Sequence, residues 1–485
     1  MQFVAMILHH ARSRPEKPAV IMADRVATYG MMAQGILGVS ARLAALNLAP
    51  GALVSIAIDS PIRALIVAAA CYRLGLPTLM ARRTAEIAPV GLPIALHLEG
   101  SSDAMAPGLH QVLVEDDWFT GAPDTEARAG FAHGDAICRV DLSSGVTGTP
   151  KTLGSPVATF EGRLGGYTFS VGQGHLDRML CLPPLASGWG FTIAAHALFL
   201  GKTLVFAPTA RDALLAVAVY QVDCLIASPL HLRQLLDAQQ GQANPLPSLG
   251  LIFTGGALPT RALLDEARAG LCRHIVVQYG STEAGASAYG PSDRLAQVEG
   301  AVGFVAPWAE VEAVDDDGNL LPPGQDGILR IRSNVMARPY FDANAPGAEA
   351  FADGWFYPGD RGHVTGDGMM VVAGRIAEIM VVGGQAQAPE VIEEIARRHP
   401  AVADVAAVGI ARPAGGADEI YLAVVPRGAF ETAALVAHCA AQGRPVDRVV
   451  TMSEIPRTAL GKVARDRLKR ALASHAELDV VPSRN

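Results

Sequence analysis

The sequence predicts an α/β protein: a large N-terminal domain of two doubly wound α/β subdomains plus a small β-barrel-like subdomain, followed by a small mobile α+β C-terminal domain. Through residue 290, short apolar runs alternate with Ala-rich helical stretches, the rhythm of a buried parallel sheet. Over 299–375 the pattern changes to Val-rich segments. They are broken by Asp315-Asp316-Asp317-Gly318-Asn319, Pro322-Pro323-Gly324 and Asp367-Gly368 turns, which predict a small antiparallel barrel or sheet. From Ile379 an α+β pattern runs to the end of the chain.

In chain order, residues 1–135 supply strands at Ala19–Met22 and Leu53–Ile58 and helices at Met31–Leu48 and Ile62–Leu74, read as half of a doubly wound unit. Residues 155–290 repeat the rhythm, with strands at Arg178–Leu182, Thr203–Phe206, Cys224–Ala227, Leu251–Thr254 and Ile275–Gln278. Chemistry in such sheets sits at strand carboxyl ends, so Thr254-Gly255-Gly256-Ala257 and Tyr279-Gly280-Ser281-Thr282-Glu283 are expected to face one crevice. Helix Ala388–Arg398, strands Val402–Ile410 and Glu419–Val425, and helix Glu431–Gln442 make a piece short enough to be a lid. With no repeat, low-complexity run or Gly/Ser linker, the division into 1–377 and 378–485 is expected at a tight hinge near Glu378.

Composition narrows the function. With 485 residues, 50% hydrophobic and 18% charged, and a mean hydropathy of +0.26, the chain has a large core and little disorder. A net charge of -8 without a long Lys/Arg run excludes a dedicated nucleic-acid surface. Cysteines 71, 138, 181, 224, 272 and 439 contain no Cys-x-x-Cys pair, which suits free buried thiols in a reducing compartment and a cytoplasmic location. No signal-peptide pattern opens the chain. The apolar segments Ala64–Cys71 and Phe191–Leu200 fall well short of the ~20 residues that span a bilayer, so membrane insertion is not expected. The histidines show no metal-ligand spacing; His9-His10, His196 and His231 read as ordinary helix residues, and no structural metal is assigned.

One stretch resists a burial explanation: Asp141-Leu142-Ser143-Ser144-Gly145-Val146-Thr147-Gly148-Thr149-Pro150-Lys151. Glycines bring backbone N–H groups close to an anion, hydroxyls add donors and a lysine adds a point charge, which is phosphate-handling chemistry. The Walker loop is excluded, because it needs Gly immediately before Lys and here Pro150 precedes Lys151. Taken alone, the stretch also suits a plain connector.

Four further motifs join it. In order they are Tyr279-Gly280-Ser281-Thr282-Glu283, Gly354-Trp355-Phe356-Tyr357-Pro358-Gly359-Asp360, Gly374-Arg375 and Pro456-Arg457-Thr458-Ala459-Leu460-Gly461-Lys462. In type and order the set resembles the adenylate-forming superfamily of acyl-CoA synthetases, peptide-synthetase adenylation domains and firefly luciferase, across nearly the whole chain. The resemblance is strongest to acid–CoA ligases. It implies an ATP-dependent acid–thiol ligase that joins a small carboxylic acid to ATP as acyl-AMP, releases pyrophosphate, and passes the acyl group to coenzyme A. A separate acyl carrier protein's phosphopantetheine is the alternative acceptor, and a nucleotide-binding pseudo-enzyme the alternative of another class. A homodimer is left open.

The resemblance also assigns roles. Ser143, Ser144, Gly145, Thr147, Gly148 and Lys151 would hold phosphates; Tyr279 and Gly280, with Gly255, Gly256 and Ala257, the adenine; and Asp360, with Arg375, the ribose hydroxyls. Glu283 would ligate Mg2+, Thr282 and Lys462 would act in catalysis, and Ser187, Trp189, Gly190 and Gly285 would shape the acid pocket. Glu378 would be the pivot on which Lys462 withdraws and Val382-Gly383-Gly384 reaches the pantetheine channel. Read singly, Asp360 also suits a turn cap, Tyr279 a core ring and Lys462 a solvated lysine.

Departures from the pattern remove donors. Val146 replaces a hydroxyl residue, Pro358 a threonine, and Val381 stands where many relatives carry lysine, at about 1 kcal/mol per net hydrogen bond or about 2 to a charged phosphate. Glu378 replaces the usual Asp or Lys, and Ser187 stands where relatives often have His or an aromatic residue. No Asp near Leu182–Phe191 is placed to hold an ammonium, which argues against an amino-acid substrate.

Overall fold

A computed structural model describes residues 2–81, 92, 94–99, 110–126, 128–143, 151–170, 176–239, 246–339, 348–382, 385–410, 418–458 and 461–475. Its uninterrupted apolar strands lie where both sheet faces are covered. Arg178–Cys181, Cys224–Ala227, Leu251–Thr254 and Ile275–Ser281 run parallel inside a 15-stranded sheet. Leu53–Ala57 runs between parallel Thr78–Met80 and Ile94–Glu99 in a 7-stranded sheet.

Helices Pro61–Arg73 and Gly188–Phe199 are buried on nearly every side and belong to a core shared by the two sheets, which joins Val54, Ile56 and Leu96 to Val20, Cys181 and Ile226. Helices Ala210–Tyr220, Pro229–Ala238 and Arg261–Gly270 cover the other face of the large sheet. Their starts follow from sequence: Thr209, Ser228 and Thr260 accept the backbone N–H of Asp212, His231 and Leu263.

One strand lies elsewhere than its neighbours in sequence suggest. Pro18–Ile21 joins the large sheet, parallel to Thr203–Val205, instead of completing the unit built from residues 1–135. An apolar strand covered on both faces carries no pattern that names its sheet. Long-range contacts decide it: the His10 ring bonds to the Phe199 carbonyl at 3.0 Å, and the Tyr29 hydroxyl donates to the Lys202 carbonyl at 2.7 Å.

The antiparallel strands Ala301–Val305, Gly327–Ser333, Asp360–Val364 and Met369–Arg375 extend the large sheet through Ala288↔Val305 and Tyr289↔Phe304, around a core of Ala288, Val302, Leu329 and Met370. The C-terminal sheet is Val402–Ile410, Glu419–Pro426 and Arg448–Thr451. Helices Pro389–Arg397 and Thr432–Ala441 pack on one side of it and Arg465–His475 on the other. All six cysteines are buried free thiols, as expected. Among the described residues no helix is long and apolar enough to cross a membrane.

Candidate active site

The site begins where strand Ile275–Ser281 turns back into Gly285–Pro291. The pairing shifts between Tyr279 and Gly280, and a Cβ on Gly280 would lie 2.6 Å from the Gly285 carbonyl oxygen, so only glycine closes this hairpin. Gly285 sits at φ +73°, and the Ser281 hydroxyl accepts from the Ala284 N–H at 3.0 Å. Thr282 and Glu283 therefore project from a fixed turn.

A second hairpin sets Asp360 opposite Arg375. Asp360 is 5% exposed; its Oδ1 lies 3.2 Å from Arg375 Nε and its Oδ2 accepts from the Tyr279 hydroxyl. Burial pushes the Asp360 carboxyl up, against the opposing pull of Arg375, the Tyr279 hydrogen bond and Lys462. Burial and the neighbouring carboxylate hold Tyr279 well above its ordinary value, so it remains a donor. A carboxylate oxygen retains further lone pairs after one bond, so Asp360 can still accept from a ligand hydroxyl.

Lys462 arrives from the C-terminal sheet's side. Gly461 takes φ +83°, the Thr458 N–H donates to the Lys462 carbonyl at 2.8 Å, and Arg457 braces the turn on Asp404 at 2.8 and 2.9 Å. A Cβ on Gly461 would lie 2.4 Å from Leu230 Cβ, so the turn is seated directly on helix Pro229–Ala238. Lys462 Nζ then lies 3.8 Å from Glu378 Oε1. Burial and the Arg375 charge pull the Lys462 ammonium down, while Glu378 and Asp360 hold it up.

Lys462, Glu378, Asp360, Arg375, Tyr279, Gly280, Thr282, Glu283, Gly285, Gly256, Ala257, Ser187 and Trp189 all line one cavity of about 2570 Å³. Gly255 stands behind this wall, where a Cβ would lie 3.1 Å from the Gln278 carbonyl and 3.5 Å from the Trp189 ring. Gly190 is also structural: a Cβ there would lie 2.3 Å from the Pro184 carbonyl oxygen. Ser187 caps its helix, accepting from the Gly190 N–H at 3.0 Å and donating to the Pro184 carbonyl at 2.7 Å. That hydroxyl is committed to the backbone, while the Trp189 side chain also lines the cavity. Ser144, Gly145, Val146, Thr147 and Gly148 lie outside the described residues. Ser143 and Lys151 pair across strands Ile137–Ser143 and Lys151–Pro156, which brings the ends of that stretch together.

Two arginines were missed from sequence. Arg465, 6% exposed, places Nε 2.9 Å from Glu378 Oε2, Nη2 2.5 Å from Glu390 Oε1 and Nη1 2.9 Å from Glu393 Oε1. Its place three residues after Lys462, at the start of helix Arg465–His475, is the signal that could have found it. Arg163, buried in helix Val157–Ser170, donates to the Thr282, Glu283 and Val335 carbonyls, and no local pattern announced it.

The geometry is that of one large cavity walled by the ends of the large sheet's strands and closed from one side by Lys462, a cation from the segment between the small sheet and helix Arg465–His475. Residues 94–341 match the AMP-binding enzyme family and residues 391–462 the AMP-binding enzyme C-terminal domain; the chain belongs to this adenylate-forming, acyl-CoA synthetase-like family. It is 31% identical over 308 residues to an indoleacetate–CoA ligase of Aromatoleum aromaticum, covering 61% of this chain and 60% of that protein. Against a sulfoacetate–CoA ligase of Cupriavidus necator it is 28% identical, with 96% of each chain covered. An anthranilate–CoA ligase solved with anthranoyl-AMP superposes with a TM-score of 0.87 at 21% identity over 98% of each chain, which shows the shared fold.

Proposed function

We propose that the chain is an AMP-forming acid–CoA ligase: it activates a small carboxylic acid with ATP and transfers the acyl group to coenzyme A. The observation that carries this reading is the convergence of Asp360, Arg375 and Tyr279 from strands of the large sheet, and Glu283 from the turn between two of them, with Lys462 from the segment that follows the small sheet, on a single cavity. In the first half-reaction a carboxylate oxygen attacks the α-phosphorus and the bond to pyrophosphate breaks. Negative charge accumulates there, so Lys462 and the loop ending at Lys151 stabilise the transition state more than the ground state. Asp360 holds the ribose and thereby the α-phosphorus in line.

Glu283 fits a Mg2+ site: it is a hard oxygen donor on a rigid turn facing the cavity, and Mg2+ takes one or two carboxylates with phosphate oxygens. When bound, the ion neutralises charge on the phosphates. In the second half-reaction the thiol sulfur bonds to the acyl carbon, AMP leaves and the thiol gives up its proton. Residues 1–377 form the nucleotide and acid domain and 378–485 a lid that turns at Glu378, in a cytoplasmic protein.

The relatives named above act on indoleacetate and sulfoacetate, and others on 4-chlorobenzoate and 3-hydroxybenzoate. Pyrophosphate release across these acids, with and without CoA, tests the reading: release that consumes CoA is expected. Release without CoA consumption moves the acceptor to a carrier protein's phosphopantetheine. No release with any acid favours a nucleotide-binding pseudo-enzyme, which Val146 and Pro358 motivate.

A charged hydrogen bond contributes about 1.5–3 kcal/mol, so 2′-deoxy-ATP should be used roughly ten-fold or more worse than ATP. Asp360→Ala should raise the KM for ATP by a similar factor and abolish that discrimination. Equal use of both nucleotides by the wild type removes Asp360 from the 2′-hydroxyl.

A further inference from the structure

We infer that Arg163 is a positioning residue for adenylation: from helix Val157–Ser170 it aims the Glu283 carboxylate by holding the backbone of the turn that carries it. The inference rests on the ligase reading above, and no local sequence pattern marks the residue. Arg163 is 8% exposed, so its bonds form out of water. Nη2 donates to the Thr282 carbonyl at 2.9 Å and the Glu283 carbonyl at 3.2 Å, and Nε donates to the Val335 carbonyl at 3.0 Å. The Glu283 carbonyl also accepts the Ala337 N–H at 2.7 Å. The peptide on each side of the Glu283 Cα is thus fixed, and the side chain leaves that Cα in one direction.

The neighbouring residues make room for this clamp. Gly285 sits at φ +73°, where a Cβ would come within 3.2 Å of Arg163 Nε and 3.3 Å of Val335 Cγ2. One turn earlier on the helix, the Thr159 hydroxyl donates to the Met336 carbonyl at 3.1 Å, and a Cβ on Gly162 would lie 2.9 Å from Val335 Cγ1. The segment so gripped runs on into Arg338-Pro339, which pairs with Gly154 and Leu153 on the strand that begins at Lys151. One helix therefore ties the Glu283 turn to the strand leaving the phosphate loop. The planar guanidinium fork reaches carbonyls of three residues at once; a lysine ammonium, a single point on a flexible stem, does not reproduce that geometry.

The test compares wild type, Arg163→Lys and Arg163→Met on the full-length enzyme. Mn2+ titrated into enzyme with a non-hydrolysable ATP analogue is read by electron paramagnetic resonance, separately from turnover. Outer-shell support of a metal ligand contributes about 10–100-fold, so both variants should bind Mn2+ at least roughly ten-fold more weakly and lose a similar factor in kcat for pyrophosphate release. Thioester formation from preformed acyl-AMP should stay within about three-fold, because that step does not use the metal-bound phosphates. Should Arg163→Met fail to fold, Arg163→Lys, which keeps charge and length, carries the test alone. Wild-type Mn2+ affinity and adenylation in Arg163→Lys, with only thermal stability lowered, would overturn the inference and leave Arg163 a packing residue. Failure of the ligase reading looks different: the wild type itself would then release no pyrophosphate with any acid.

Discussion

Lys462→Ala is expected to lower acyl-adenylate formation by about 10²–10³-fold, the loss typical of one transition-state donor, and to leave thioester formation from preformed acyl-AMP far less affected. The asymmetry follows from where Lys462 sits. Its turn rests on Leu230, and its ammonium reaches toward Glu378 and Asp360 in the cavity wall. Once the adenylate has formed, no further bond is made or broken at the α-phosphorus, so the charge build-up there that Lys462 would neutralise does not recur when the thiol attacks the acyl carbon. Equal loss in both half-reactions, measured by pyrophosphate release and by thioester formation in turn, would make Lys462 a structural residue.

The same surroundings predict a pH signature. Burial and Arg375 lower the Lys462 pKa, with Arg465 adding to them and Glu378 and Asp360 opposing. The ammonium is therefore present at low pH and lost as pH rises through a value below that of an ordinary lysine. Adenylation should decline on that alkaline limb, and Lys462→Arg, which does not deprotonate in this range, should flatten it. An identical alkaline limb in both enzymes would assign the titration to another group.

Much of this was legible beforehand because the relevant signals are local. The runs Cys224–Ala227 and Leu251–Thr254 are apolar on both faces and form strands with those same bounds. The glycines of Tyr279-Gly280-Ser281-Thr282-Glu283 and Gly461-Lys462 mark turns that no other residue closes without strain or collision. What was not legible depends on distant partners. Pro18–Ile21 reads as a buried strand, yet its sheet is chosen by contacts near residue 200. Arg163 looks like any helix arginine until its carbonyl partners arrive from the Glu283 turn and Val335. Glu378 read as a polar pivot; its carboxylate also has partners, Lys462 and Arg465, from the end of the chain.

That second property of Glu378 sharpens the experiment on the lid. Glu378 ends a single 3-10 turn, Ile376–Glu378, held at 2.8 Å from the Ile376 N–H to the Gly359 carbonyl and at 2.9 Å from the Ile379 N–H to the Arg375 carbonyl. Both of these bonds survive in Glu378→Pro and a 3-10 φ suits proline, so at the pivot itself the substitution costs the observed turn only the Glu378 N–H, which the 3-10 pattern directs at the Arg375 carbonyl. The proline fixes φ at the residue where the proposed rotation of the small domain would be absorbed. It also deletes a carboxylate 2.9 Å from Arg465 and 3.8 Å from Lys462, so Glu378→Gln is needed as the control that removes charge and keeps backbone freedom. Arg465 keeps Glu390 and Glu393 in either variant. Adenylation should therefore stay within about ten-fold of wild type in both, since Lys462 loses a neighbour and not its seat on Leu230. Thioester formation should survive in Glu378→Gln and fall by at least ~10²-fold in Glu378→Pro, the scale of a misplaced reacting group. If Glu378→Pro runs both half-reactions at wild-type rates, the pivot lies elsewhere or the small domain does not turn.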